Sequence, residues 1–154
     1  MPFVSKIETR AYARATEVLE RVVASVQSIF PEHLRKKLTI TKSKAEGQAG
    51  NAIIVINATL DGQKDCEPVM NYIFEQMDSN SRRAIERSLD IRLEEECVFF
   101  LRIDKQAAFL GNLKMADEAD VISARFHFKH IPRCKREEVI LLIESHLRAA
   151  GGLV

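Results

Sequence analysis

The stretch Cys97 to Met115, CVFFLRIDKQAAFLGNLKM, constrains this chain most. Cys97, Phe99, Leu101 and Ile103 share one parity and Val98 and Phe100 the other, so the segment is apolar on both faces until Arg102 and Asp104. That is the pattern of a central strand. Asp104-Lys105-Gln106, two alanines and Phe109-Leu110-Gly111 then predict a short connection that turns the chain back into a partner strand. Asp104 at that strand end is expected to accept backbone amides of the turn, with Arg102 or Lys105 balancing its charge. On that reading Lys105 is free to meet a ligand and adds little to stability.

The rest of the chain supplies the partners. Residues 4–14 alternate, with Ile7, Thr9, Ala11 and Ala13 opposite Lys6, Glu8, Arg10, Tyr12 and Arg14, as in a half-buried strand. Thr16 reads as an N-cap, and Val18, Leu19, Val22, Val23, Val26, Ile29 and Phe30 fall at helical spacings up to Pro31. After a turn or short helix at 31–37, strands at 38–45 and 52–60 are predicted to pair as a hairpin across 46–51. Pro68 is placed in the first turn of a second helix, and Asp78-Ser79-Asn80-Ser81 caps a third. Glu94-Glu95-Glu96 is a solvated turn. Val121 to Lys129 turns Ile122, Ala124, Phe126 and Phe128 inward and Arg125, His127 and Lys129 outward, and Pro132 opens the last helix. The predicted order is strand, helix, two strands, two helices, three strands, helix. This is an α+β fold, an antiparallel or mixed sheet with helices packed on one face, in a single domain over residues 1–154.

Composition narrows the function. The chain carries 23 Lys plus Arg against 22 Asp plus Glu, a net charge of +1, so any surface for nucleic acid must be local. Its 3 cysteines, Cys66, Cys97 and Cys134, are scattered without a Cys-x-x-Cys, which argues against a disulfide framework and a thiolate zinc site and for a cytoplasmic protein. No apolar run is long enough for a membrane span. Gly47, Gly50 and Gly62 do not form a phosphate-binding Walker loop. His127, His130 and Cys134 lack a fourth ligand, so no metal, cofactor or catalytic residue is assigned. Arg125-Phe126-His127-Phe128 has the aromatic spacing of an RNA recognition motif, but both phenylalanines share the core parity of Ile122. Two basic clusters remain. One is Arg35, Lys36, Lys37, Lys42 and Lys44; the other is Arg125, His127, Lys129, His130, Arg133, Lys135 and Arg136. Whether they share one face decides whether they act together.

Three blocks carry a resemblance. Arg102 to Gly111 reads Arg-x-Asp-Lys-Gln-x-Ala-aromatic-x-Gly, Ala15-Thr16-Glu17 opens the first helix, and Gly47 to Asn51 gives Gly-x-x-Gly-Asn before an apolar strand. In this order they resemble an archaeal family of small RNA-binding proteins, also regarded as exosome subunits, whose fold is similar to the ribosomal large-subunit protein that holds 5S RNA. The chain departs from that family at Ala13 or Arg14 and at Ala49, where histidines are expected, and at Ala52, where a proline is common. The resemblance implies a non-enzymatic RNA-binding protein, an accessory factor in RNA processing or degradation, with RNA and exosome- or ribosome-related proteins as partners. The residues expected to meet RNA are Arg35, Lys36, Lys37, Lys42, Lys44, Arg102, Lys105, Arg125, His127, Lys129 and Arg133. Two rivals stand beside it: a small enzyme using Asp104 and Lys105 as an acid/base or nucleophile pair, and an interaction module or homodimer pairing through the outer sheet face or an edge strand.

Overall fold

The computed structural model describes residues 1–46, 52–117 and 120–151. Its elements in chain order are β1 (Phe3–Ala13), α1 (Leu19–Gln27), a 3-10 turn (Glu32–Lys37), β2 (Thr39–Glu46), β3 (Ala52–Asp61), α2 (Gln63–Gln76), α3 (Ser79–Arg87), α4 (Leu89–Arg92), β4 (Val98–Asp104), α5 (Lys105–Phe109), β5 (Val121–Lys129) and α6 (Arg136–Ala150). The strands form one five-stranded sheet in the order β2-β3-β1-β5-β4. Every neighbouring pair is antiparallel. The α+β expectation holds.

Strand alternation fixes which face is covered. Ile7, Thr9 and Ala11 of β1 lie opposite Leu60, Ala58 and Ile56 of β3, and Ile7 and Thr9 also face Phe126 and Ala124 of β5. All of these are buried. Against this face pack α1 through Val22 and Val26, α2 through Val69, Met70, Ile73 and Phe74, and α6 through Val139, Ile143 and Leu147. A strand register read at period 2 and helices read at period 3.6 thus meet in one core. No helix among the described residues is long and apolar enough to cross a membrane.

Several local expectations change. The stretch 98–104 is an edge strand rather than a central one. Its free edge is met by its own flanks: Glu94 N–H donates to Val98 O at 2.9 Å, Asp104 N–H to Lys114 O at 2.9 Å and Ala116 N–H to Arg102 O at 3.1 Å. These bonds blunt an edge that would otherwise be open. The expected return strand after Asp104 is instead the single-turn α5, followed by isolated bridges at Leu113 and Met115. Two alanines and no β-branched residue between 104 and 111 favour that turn of helix. Pro68 lies well inside α2, because Gly62, at φ 102, already starts the helix by accepting from Cys66 N–H. The last helix begins at Arg136, beyond Pro132. Thr16 does not cap α1, whose N-cap position is Val18 with no side-chain bond. The Gly47–Asn51 connection and Glu118 lie outside the described residues.

The cysteines correct the sequence reading more sharply. Cys97 and Cys134 form a disulfide with Cα atoms 6.4 Å apart, joining the turn before β4 to the loop before α6. A separation of 37 residues hides such a pair from any spacing rule. Cys97 sits at φ 62, where a residue other than glycine is uncommon, so the bridge and burial hold a backbone the residue would leave. Cys66 stays a free, buried thiol, pushed up from 9.0 to about 12 by burial and then by Asp61 and Asp65. Opening a loop of this length should cost about 2 to 4 kcal/mol. Reductant, or Cys134→Ser, is therefore expected to lower the melting temperature by roughly 5 to 15 °C. Thiol alkylation should modify Cys66 only in denaturant; equal melting with and without reductant contradicts the bridge.

Candidate nucleic-acid interface

The Arg-x-Asp-Lys-Gln block folds into a clamp. Asp104 Oδ1 accepts from Ala107 N–H at 2.8 Å, so the side chain caps α5 as expected of a strand-end carboxylate. Lys105 differs from expectation. It is 1 % exposed, and its Nζ lies 2.9 Å from Tyr12 O, 2.8 Å from Glu17 Oε2 and 2.6 Å from Asp120 Oδ1. Three N–H donors meet three acceptors and none is left for phosphate. Glu17 also accepts from Arg14 N–H at 3.0 Å, and Arg14 pairs with Asp120 at 3.2 Å, so two cations and two carboxylates balance. The Thr-Glu block at the first helix and the Asp-Lys block at β4 are therefore two halves of one structural contact.

That geometry also weakens the acid/base reading. Asp104 is committed to an amide and Lys105 to two carboxylates. The two residues also line different cavities: one of about 210 Å³ is lined by Thr16, Glu17, Arg21, Lys105, Gln106 and Phe109, and one of about 660 Å³ by Asp104, Gln106, Ala107, Asn112 and Lys114.

The two basic clusters fall on opposite faces of the sheet. Lys42 and Lys44 lie opposite Ile56 and Ile54, so they project on the helix side, past the helices at the rim. Arg125 and His127 lie opposite Glu8 and Lys6, on the side without helices. Strands β2 and β5 are also separated by β3 and β1. Arg35 is spent on Phe30 O at 3.0 Å and Lys37 on Asp65 at 3.1 Å, while Lys36 and Arg133 are exposed in segments outside the strands. Arg136 donates to Asp90 O and Leu93 O.

The helix-free face assembles a different set. Following the register across the sheet, Asn57, Arg10, Ser123 and Arg102 stand side by side on β3, β1, β5 and β4. The next row holds Thr59, Glu8, Arg125 and Phe100, and beyond Arg10 lies Tyr12, 44 % exposed. Lys6 and Lys129 extend the face. Arg10 bonds neutral Asn57 Oδ1 at 3.0 Å, and neither Arg10 nor Arg102 has a carboxylate partner among the described residues. Two basic side chains here meet carboxylates: Arg125 pairs with Glu94 at 3.1 Å at an exposed position, where such pairs are weak, and half-buried His127 lies 2.6 Å from Glu8. Phe126 and Phe128 are buried, as their parity predicts. Sequence reasoning missed Arg10 and Phe100 as site residues. Their outward parity was readable, but their alignment with Arg102 and Arg125 depends on strand order.

Among the described residues no group of three or more His, Cys, Asp or Glu could hold a metal ion. A family model described as RNA binding matches residues 6–128. The chain belongs to this RNA-binding family. It is 28% identical over 142 residues to an RNA-binding protein of Pyrococcus abyssi, covering 92% of each chain. It is 28% identical over 148 residues to an uncharacterized protein of Methanocaldococcus jannaschii, covering 94% of this chain and 98% of that one. Among solved structures it resembles a DUF54 protein from Archaeglobus fulgidus, with 26% identity, a TM-score of 0.77 and 93% and 99% of the two chains covered. The membership spans both halves of the clamp and most of the open face.

The clamp yields the test of its own role. Removing one member of a buried ion pair strands its partners, typically at about 3 to 5 kcal/mol, less here because Asp120 is partly exposed. Lys105→Met is expected to destabilise the protein by about 2 to 4 kcal/mol and Asp104→Ala by about 1 to 2 kcal/mol, read by denaturant unfolding. A Lys105→Met protein as stable as the parent removes the structural assignment.

Proposed function

We propose that this protein is a non-enzymatic RNA-binding factor that holds the phosphate backbone on the open face of its sheet. The carrying observation is the row of Arg10 and Arg102, which among the described residues have no carboxylate partner and no covering helix, bordered by Arg125, Lys6 and Lys129. Membership of an RNA-binding family supports the ligand class. Guanidinium groups suit phosphate because their planar donors bind it bidentately. Lys42 and Lys44 lie on the other face, and Lys36 and Arg133 lie outside the strands, so all four are assigned outlying contacts at most. The resemblance read from the sequence supports three finer proposals: a role in RNA processing or degradation, exosome- or ribosome-associated partners, and a fold similar to the 5S-RNA-binding ribosomal protein.

Phosphate binding releases counterions, so affinity should fall steeply with salt. Four phosphate contacts give a logarithmic slope of roughly −3, and each lost contact lowers its magnitude by about 0.7 to 0.9. In titrations of folded protein with RNA, Arg10→Glu with Arg102→Glu should flatten the slope by at least about 1.4. Lys42→Glu with Lys44→Glu should leave it nearly unchanged. Absence of RNA affinity at low salt in the folded parent ends this reading.

A further inference from the structure

We infer that the open face takes single-stranded RNA, with bases stacked on Tyr12 and Phe100 on either side of the arginine row. This rests on the RNA-binding reading and adds the form of RNA. Two aromatic side chains share the face with the arginines: Tyr12, 44 % exposed, two residues beyond Arg10 on β1, and half-buried Phe100, two residues before Arg102 on β4. Both β1 and β4 run antiparallel to β5 and hence parallel to each other. Tyr12 and Phe100 therefore stand at diagonal corners, four residues apart along the strands and two strand spacings across, roughly 16 Å between Cα atoms. Arg10 and Arg102 lie between them, and Asn57, Thr59 and Ser123 supply neutral hydrogen-bonding groups along the same rows.

This arrangement discriminates between forms of RNA. A duplex keeps its bases stacked inside the helix and offers a flat sheet only phosphates and 2′-hydroxyls, so ring side chains gain nothing from it. An extended strand presents base faces and phosphates together, which is the combination of aromatic platforms and cations on this surface. Charge also argues against a second copy of the chain as occupant. Symmetric face-to-face pairing brings two surfaces together on which Arg10, Arg102, Arg125, Lys6 and Lys129 outnumber Glu8, a contact dominated by like charges.

The test uses the full chain, a labelled 12-nucleotide RNA of mixed, non-self-complementary sequence, and the same strand annealed to its complement. At low salt the single strand should bind at least about 10-fold tighter than the duplex. Tyr12→Ala should weaken single-strand binding by roughly 5- to 50-fold, leave the duplex within about 2-fold and leave the salt slope unchanged, because stacking releases no counterions. Tyr12→Phe should retain affinity. Phe100→Leu keeps the half-buried position filled and should weaken the single strand in the same direction. Duplex binding equal to or tighter than single-strand binding, or an unaltered Tyr12→Ala protein, overturns the inference while leaving RNA binding intact. Failure to bind either RNA overturns both.

Discussion

The ammonium of Lys105 is the joint on which the placement of the open face depends. Four chain segments converge on it: the end of β1 through the Tyr12 carbonyl, the approach to α1 through Glu17, the approach to β5 through Asp120, and the β4–α5 junction that carries it. They come from two regions of the chain, residues 12–17 and 105–120, and each would otherwise bring an unpaired polar group to the margin of the core. A lysine buried to 1 % exposure survives there because its donors are all used. The same contact ties the end of β1 to the β4–α5 junction, and so joins the ends of the two strands whose pairing with β5 puts Arg10 in line with Arg102.

Acidic residues are consumed in holding the fold, and this gives a nearly neutral chain a locally basic face. Glu17 and Asp120 are engaged by Lys105 and Arg14, Asp104 and Asp78 cap α5 and α3, and Glu137 and Glu138 sit in the first turn of α6, where the helix dipole favours them. On the open face the carboxylates are few, and Glu8 is drawn to His127. The net charge of +1 describes the whole chain and not this surface. The disulfide has a related effect at the far end of the sheet, because it ties the turn before β4 to the basic loop that carries Arg133 and Lys135.

Alternation was the legible part. The outward positions of Arg10, Tyr12, Arg125 and His127 and the inward Phe126 and Phe128 could be read from period 2, and Asp78 and Asp104 could be read as caps. What failed depended on long-range placement. Val98 to Asp104 looks central because it is apolar on both parities, yet neighbouring loops supply the cover that a further strand would have given. Lys105 looks like a surface cation because its partners lie 88 and 15 residues away, at Glu17 and Asp120. The pairing of Cys97 with Cys134 is invisible for the same reason. Basic clusters counted along the chain mixed opposite faces, since Lys42 and Arg125 belong to strands whose order only the fold reveals.

The contrast between the two basic sets also bears on what the sheet edge can do. Lys42 and Lys44 project from the terminal strand β2, where repeated lysines discourage pairing with another chain's backbone. Their placement is explained by protecting an edge, without any ligand. Arg10 and Arg102 have no such explanation: they stand on interior β1 and on β4, whose outer side the chain itself covers, so edge protection is not needed where they are. Guanidinium groups aligned across three strands of a face, with hydroxyl and amide groups between them, contribute little to the core. Their alignment makes physical sense as a surface that waits for a polyanion.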